Sequence, residues 1–86
     1  MIQRRDGWLA AKIGEEMVMM SVESGVYLGV NEVGARVWEM IEEPKELSEL
    51  CAGLAAEFEV TDEVCRAEVE SFLADLEKRG AVSRRN

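Results

Sequence analysis

Gly25-Val26-Tyr27-Leu28-Gly29-Val30-Asn31-Glu32-Val33-Gly34-Ala35-Arg36-Val37-Trp38 changes its apolar period at a single polar residue. Val26, Leu28 and Val30 alternate as on a half-buried strand, whereas Val33, Val37, Trp38 and Ile41 recur at the three-and-four spacing of a helix face. Asn31 stands at the switch, where its side-chain oxygen can accept a hydrogen bond from a backbone N–H of the first helical turn. The stretch predicts a strand running directly into a capped helix, the two rigidly joined.

Upstream of it, Trp8 to Ile13 alternates weakly and Gly14-Glu15 marks a turn. Met17 to Val22 is a stronger strand, with Val18, Met20 and Val22 on one face and Met17, Met19 and Ser21 on the other. Glu23-Ser24-Gly25 then closes a hairpin onto the third strand, Val26 to Val30, so the first third of the chain reads as a three-stranded antiparallel meander. The methionines at 17, 19 and 20 read as core filler rather than a cofactor site. Tyr27 and Gly29 share the face opposite Val26, Leu28 and Val30. A glycine within a strand marks either close approach by another backbone or a twist at the strand end, and both readings stay open here.

Downstream, the first helix runs from about Glu32 to Glu43 and stops near Pro44, which disfavours helix in the residue before it. A second helix, from about Glu46 to Phe58, carries Leu47, Leu50, Cys51, Leu54 and Phe58 as one stripe. Thr61 or Asp62 caps a third, about Asp62 to Arg79, with Cys65, Val69, Phe72, Leu73 and Leu76 on one face and Gly80 as the left-handed residue past its end. Ala81 and Val82 are expected to pack back briefly, and Ser83 to Asn86 to fray. The expected fold class is α+β: one domain over residues 1–86, a three-stranded antiparallel sheet followed by three helices, compatible with a winged helix-turn-helix.

Composition narrows the function. A chain of 86 residues with no histidine lacks the commonest general base and metal ligand. Cys51 and Cys65 are too far apart for a CxxC site and fall on apolar helix faces, as buried reduced thiols do. That usage fits a reducing, cytoplasmic setting, and the N-terminal residues form too short an apolar run for a signal peptide or membrane span. Only carboxylates, lysines and two buried thiols remain for catalysis, so a small enzyme is disfavoured and no metal or other cofactor is expected.

The net charge of −8 is unevenly spread: residues 15–77 hold all but one of the 18 acids, against Arg36, Lys45 and Arg66. An acidic middle repels nucleic acid and anionic lipid and favours a neutral or basic partner. The third helix, which a DNA-binding winged helix would set against phosphates, carries Asp62, Glu63, Glu68, Glu70, Asp75 and Glu77 against Arg66, Lys78 and Arg79. A phosphate-facing helix needs the opposite balance, which leaves peptide binding ahead of DNA binding.

The run Gly25-x-Tyr27-Leu28-x-Val30-Asn31, then Ala35-x-x-Trp38, Glu49-Leu50, Phe58-Glu59-Val60, Val69-x-x-Phe72-Leu73-x-x-Leu76 and Gly80-Ala81-Val82, resembles the PqqD family in order and spacing over nearly the whole chain. Glu42-Glu43 stand where that family often has a glycine turn, and Val30 where it often has leucine. The resemblance implies a RiPP recognition element, a non-catalytic domain that binds the leader of a ribosomally made precursor peptide. It is most similar to the free-standing leader-binding subunit of lasso-peptide pathways, whose partners are a transglutaminase-like cysteine peptidase that removes the leader and an ATP-dependent macrolactam cyclase. A peptide chaperone for a radical SAM enzyme, as in pyrroloquinoline-quinone synthesis, is the alternative the family offers.

That resemblance also implies where the leader docks, between the third strand and the third helix. An open strand edge can accept an extended peptide through main-chain bonds, with side-chain pockets for specificity. Carried onto this chain, Gly25, Val26, Tyr27, Leu28, Gly29 and Val30 supply the ladder. Val69, Phe72, Leu73 and Leu76 supply the apolar floor or its border, and Glu68 and Asp75 flank it to meet basic leader residues. The four apolar helix residues also suit a plain core role.

Overall fold

The computed structural model describes residues 1–85 and shows an α+β domain with two small sheets and three helices. Strand β1 (Ile2–Arg4) pairs far along the chain with β5 (Val82–Arg84), while β2 (Trp8–Ile13), β3 (Glu16–Ser21) and β4 (Tyr27–Val30) form an antiparallel meander in the order β2-β3-β4. Helices α1 (Glu32–Met40), α2 (Leu47–Phe58) and α3 (Asp62–Lys78) follow the meander. The meander is the expected three-stranded sheet, with each strand within a residue or so of its predicted bounds.

Residues 83–85 do not fray as expected; Ser83 and Arg84 pair with Gln3 and Ile2. Asn86 lies outside the described residues. The β1–β5 ribbon is continued by Lys45, whose N–H and C=O exchange hydrogen bonds with Ile2 at 2.9 and 2.7 Å. Arg4 extends from β1 to α1, where its guanidinium lies 4.4 Å from the Trp38 ring centroid and donates to the Trp38 carbonyl. That cation serves an α1 end that has no basic residue of its own in its last turn.

Local chemistry accounts for the helix ends. Asn31 caps α1, its Oδ1 accepting from the Gly34 N–H at 2.9 Å. This helix ends at Met40, three residues before its predicted end, because the N–H groups of Ile41 and Glu42 close it on the Val37 and Glu39 carbonyls and the chain then turns through Pro44 to reach β1. Glu46 and Glu49 form a reciprocal capping box at the start of α2. Thr61, rather than Asp62, caps α3 by accepting from the Val64 N–H at 3.3 Å. At the other end Gly80 takes φ 80°, and the Gly80 and Ala81 N–H groups bond back to Glu77 and Leu76, a Schellman closure that directs the chain into β5.

One core lies between the meander and the helices. Met17, Met19 and Val30 contribute from the sheet, Ala35, Val37, Trp38 and Ile41 from α1 and its cap, Leu50, Cys51 and Leu54 from α2, and Cys65, Val69, Leu73 and Leu76 from α3. Of the two faces of β3, it is that of Met17, Met19 and Ser21 which is buried. The opposite face of the meander is apolar but bare, with Leu9, Ile13, Val22 and Tyr27 all more than half exposed.

Candidate functional site

The hairpin hydrogen bonds establish which way the backbone of β4 faces. The Ser21 N–H donates to the Val26 carbonyl at 3.0 Å, so these two form a hydrogen-bonded pair. Alternation along an antiparallel ladder makes Met19–Leu28 and Met17–Val30 the next such pairs. The other side of β3 agrees: the Val22 N–H donates to the Gly7 carbonyl at 2.9 Å, so Met20 and Val18 turn their polar groups toward β2 and leave those of Met19 and Met17 for β4. Leu28 and Val30 therefore bond inside the sheet, and Tyr27 and Gly29 point N–H and C=O outward. Since among the described residues β4 pairs with β3 alone, those groups line a free edge.

Beside that edge runs an open groove of about 730 Å³. Leu28, Gly29 and Val30 form one wall, Asn31, Val33, Gly34 and Val37 the end and floor contributed by the cap and first turns of α1, and Ala67, Glu68, Val69, Ser71, Phe72 and Asp75 the α3 wall. The wall residues of α3 recur at three- and four-residue steps, which places them along one stripe of the helix. Direct cross-strand neighbours share a face. A strand added to β4 would therefore send the side chains opposite Leu28 and Val30 into the groove, and those opposite Tyr27 and Gly29 onto the bare face.

The sequence-predicted residues separate accordingly. Leu28, Gly29, Val30, Glu68, Val69, Phe72 and Asp75 come together around the groove. Leu73 and Leu76 are fully buried behind it, within the core. Gly25 and Val26 follow the hairpin turn and precede β4, Val26 accepting from Ser21 inside the hairpin, and Tyr27 is 70% exposed at the edge. Nothing within the chain crowds Gly29: a Cβ there would meet no atom within 4 Å, so internal packing does not require the glycine. Sequence reasoning missed Asn31, Val33, Gly34, Val37, Ala67 and Ser71. The α3 pair was within reach through its spacing from Glu68 and Asp75, but the α1 residues enter the site only because the Asn31 cap folds the helix start against α3.

Charge at the groove is negative but uneven. Asp75 is held by Arg79 at 3.0 Å, whereas Glu68 has no ion-pair partner among the described residues. At the far end of the meander Glu32 has its pKa raised by desolvation and by the Glu15 carboxylate, with Lys12 opposing. Both thiols are buried and free; burial, the neighbouring Cys51 and nearby carboxylates raise the pKa of Cys65, so it stays protonated and unreactive. Among the described residues no three His, Cys, Asp or Glu side chains converge to hold a metal, and no helix is long and apolar enough to cross a membrane. The site offers hydrogen-bonding backbone, an apolar trough and an acidic lip, which suit an extended polypeptide.

Residues 16–82, from β3 into β5, match the family of coenzyme PQQ synthesis protein D, PqqD. The chain belongs to the PqqD family. Two solved structures share its fold along almost the entire length. TbiB1 in complex with the TbiA(beta) leader peptide is 26% identical, with a TM-score of 0.85 and 98% of each chain covered. A lasso peptide synthetase B1 complexed with the leader peptide is 18% identical, with a TM-score of 0.82, 96% of this chain and 98% of that one being covered. No curated protein sequence matches the chain. The β1–β5 ribbon lies mostly outside the matched PqqD region.

Proposed function

We propose that this protein is a RiPP recognition element that binds the leader of a ribosomally synthesised precursor peptide as a fourth antiparallel strand on β4, seated against α3. The observation that carries this reading is the pairing of a free edge, at Tyr27 and Gly29, with a groove whose far wall is α3. The PqqD membership and the leader peptides bound by the two similar proteins support it.

Outward groups at two residues offer two N–H donors and two carbonyl acceptors. At about 0.5–1.5 kcal/mol net for each bond, the ladder contributes on the order of 2–6 kcal/mol before the cost of ordering the peptide. Apolar leader side chains in the trough supply the remainder, and Glu68 attracts a basic one. Tight binding thus needs both edge and groove.

The domain performs no chemistry itself. It delivers the precursor to separate enzymes: a transglutaminase-like cysteine peptidase that removes the leader and a macrolactam cyclase that closes a lasso ring. Nucleic acid and membrane are not partners, consistent with the acidic surface, and the free buried thiols suit a reducing cytoplasm. The alternative is a peptide chaperone for a radical SAM enzyme, a reading supported by a family description that names PQQ synthesis. A leader peptide taken from a candidate precursor sought among the neighbouring reading frames, made with a fluorescein label, tests the proposal by fluorescence polarisation. Saturable binding that unlabelled leader reverses and core peptide does not is the expected result; equal competition by both would overturn it.

A further inference from the structure

Gly34 is the third residue of α1 and is buried. It lies within a regular helix, where the backbone has no need of glycine, and glycine is the poorest helix former after proline. Space explains it. A Cβ at this position would stand 2.5 Å from Val30 Cγ1, and 3.0 and 3.2 Å from Phe72 Cε1 and Cζ.

The neighbours have little freedom on the core side. Val30 is β-branched, stiff at χ1 and only 5% exposed, while Val37 and Val69 of the groove lining and Leu73 of the core are 0% exposed. Phe72 is half-buried and faces the groove. A side chain at 34 would therefore drive Val30 or the Phe72 ring toward the groove they both line. Gly53 in α2 makes the contrast: its Cβ would come within 2.7 Å of Met40 Cε, the end of a flexible side chain remote from the groove, which can swing aside.

We propose that Gly34 is a specificity-determining residue, setting the depth of the groove so that it admits a bulky apolar peptide side chain, aromatic or branched aliphatic, opposite Val30 and over the Val30–Gly34–Phe72 contact. The inference rests on the strand-addition reading of the groove. It adds the chemistry of the residue recognised and the reason a helix start carries a glycine.

The probe is a phage-displayed library of random twelve-residue peptides selected on the full chain, followed by fluorescence polarisation with the best selected peptide and with versions trimmed to alanine at each apolar position. Circular dichroism and thermal melts accompany every variant. Gly34→Ala should weaken the parent peptide at least tenfold, and trimming one groove-facing apolar residue should bring that variant to within about threefold of the parent protein with the same trimmed peptide. Gly53→Ala should leave affinity unchanged.

If Gly34→Ala does not fold, Phe72→Leu approaches the contact from its other side: it deepens the trough, and selection should shift toward larger residues at that one position, an unchanged preference overturning the proposal. A folded Gly34→Ala that binds like the parent, or that loses all peptides regardless of side-chain size, also overturns the role of Gly34 while leaving strand addition standing. A parent protein that selects no peptide overturns both.

Discussion

Tyr27→Pro and Leu28→Pro are neighbours on one short strand, yet the ladder parity predicts opposite failures. Tyr27 turns its N–H to the open edge, and its side chain is 70% exposed, so proline there removes a donor that the folded chain does not use. Loss of one ladder bond at about 0.5–1.5 kcal/mol corresponds to a roughly two- to thirteenfold weaker leader complex, with any ring clash adding to that. Leu28 donates into the sheet to Met19, which is 0% exposed. Proline at 28 would leave the Met19 carbonyl buried without its partner and remove a half-buried side chain, which together cost about 2–4 kcal/mol of stability. For a domain of this size that lowers Tm by roughly 8–30 °C. The assay is a thermal melt for each variant followed by leader titration at a temperature where both are folded, with Tyr27→Ala as the reference for loss of the phenol ring. Tyr27→Pro should melt within a few degrees of Tyr27→Ala and bind less tightly. If it stays folded and binds leader as Tyr27→Ala does, no ligand hydrogen bond forms at that N–H and strand addition to β4 is wrong.

Three further outcomes follow from charge and chemistry. The rate of leader association should fall between about 0.05 and 0.5 M salt, over which the Debye length drops from roughly 14 to 4 Å; stopped-flow traces independent of salt would assign the acidic surface to solubility alone. Because the Cys65 thiol is held protonated in the fold, its contribution is complete below the unfolded thiol's pKa of ~8.5 and is lost as pH rises through the higher folded value. Denaturant melts should therefore show stability falling on the alkaline side, with a shallower slope in Cys65→Ala; identical slopes would refute the coupling. Precursor incubated with this protein alone, with and without ATP, should keep its mass, and a cleaved or dehydrated product in the mass spectrum would show that the domain is itself catalytic.

Local pattern carried much of this protein. The alternation to Val30, the Asn31 cap, the apolar stripes of α2 and α3, and Gly80 all act within a few residues, so the three meander strands, the helices and most of their boundaries were legible in order. The absence of histidine and the crowding of acids into residues 15–77 are likewise properties of composition and need no coordinates. What the chain order does not encode locally is pairing across distance. The β1–β5 ribbon joins residues about eighty apart and three residues long at each end, too short for any periodicity to announce. Which β4 residues face outward depends on the register of the hairpin, since a shift of one residue exchanges the inward and outward sets. The division of Val69, Phe72, Leu73 and Leu76 between groove and core depends on the rotation of α3 against its neighbours, a few tens of degrees that one apolar stripe cannot specify. Gly34 entered the site for the same reason: a missing side chain leaves no mark in a hydrophobic pattern, and only the approach of Val30 and Phe72 to the start of α1 gives its absence a consequence.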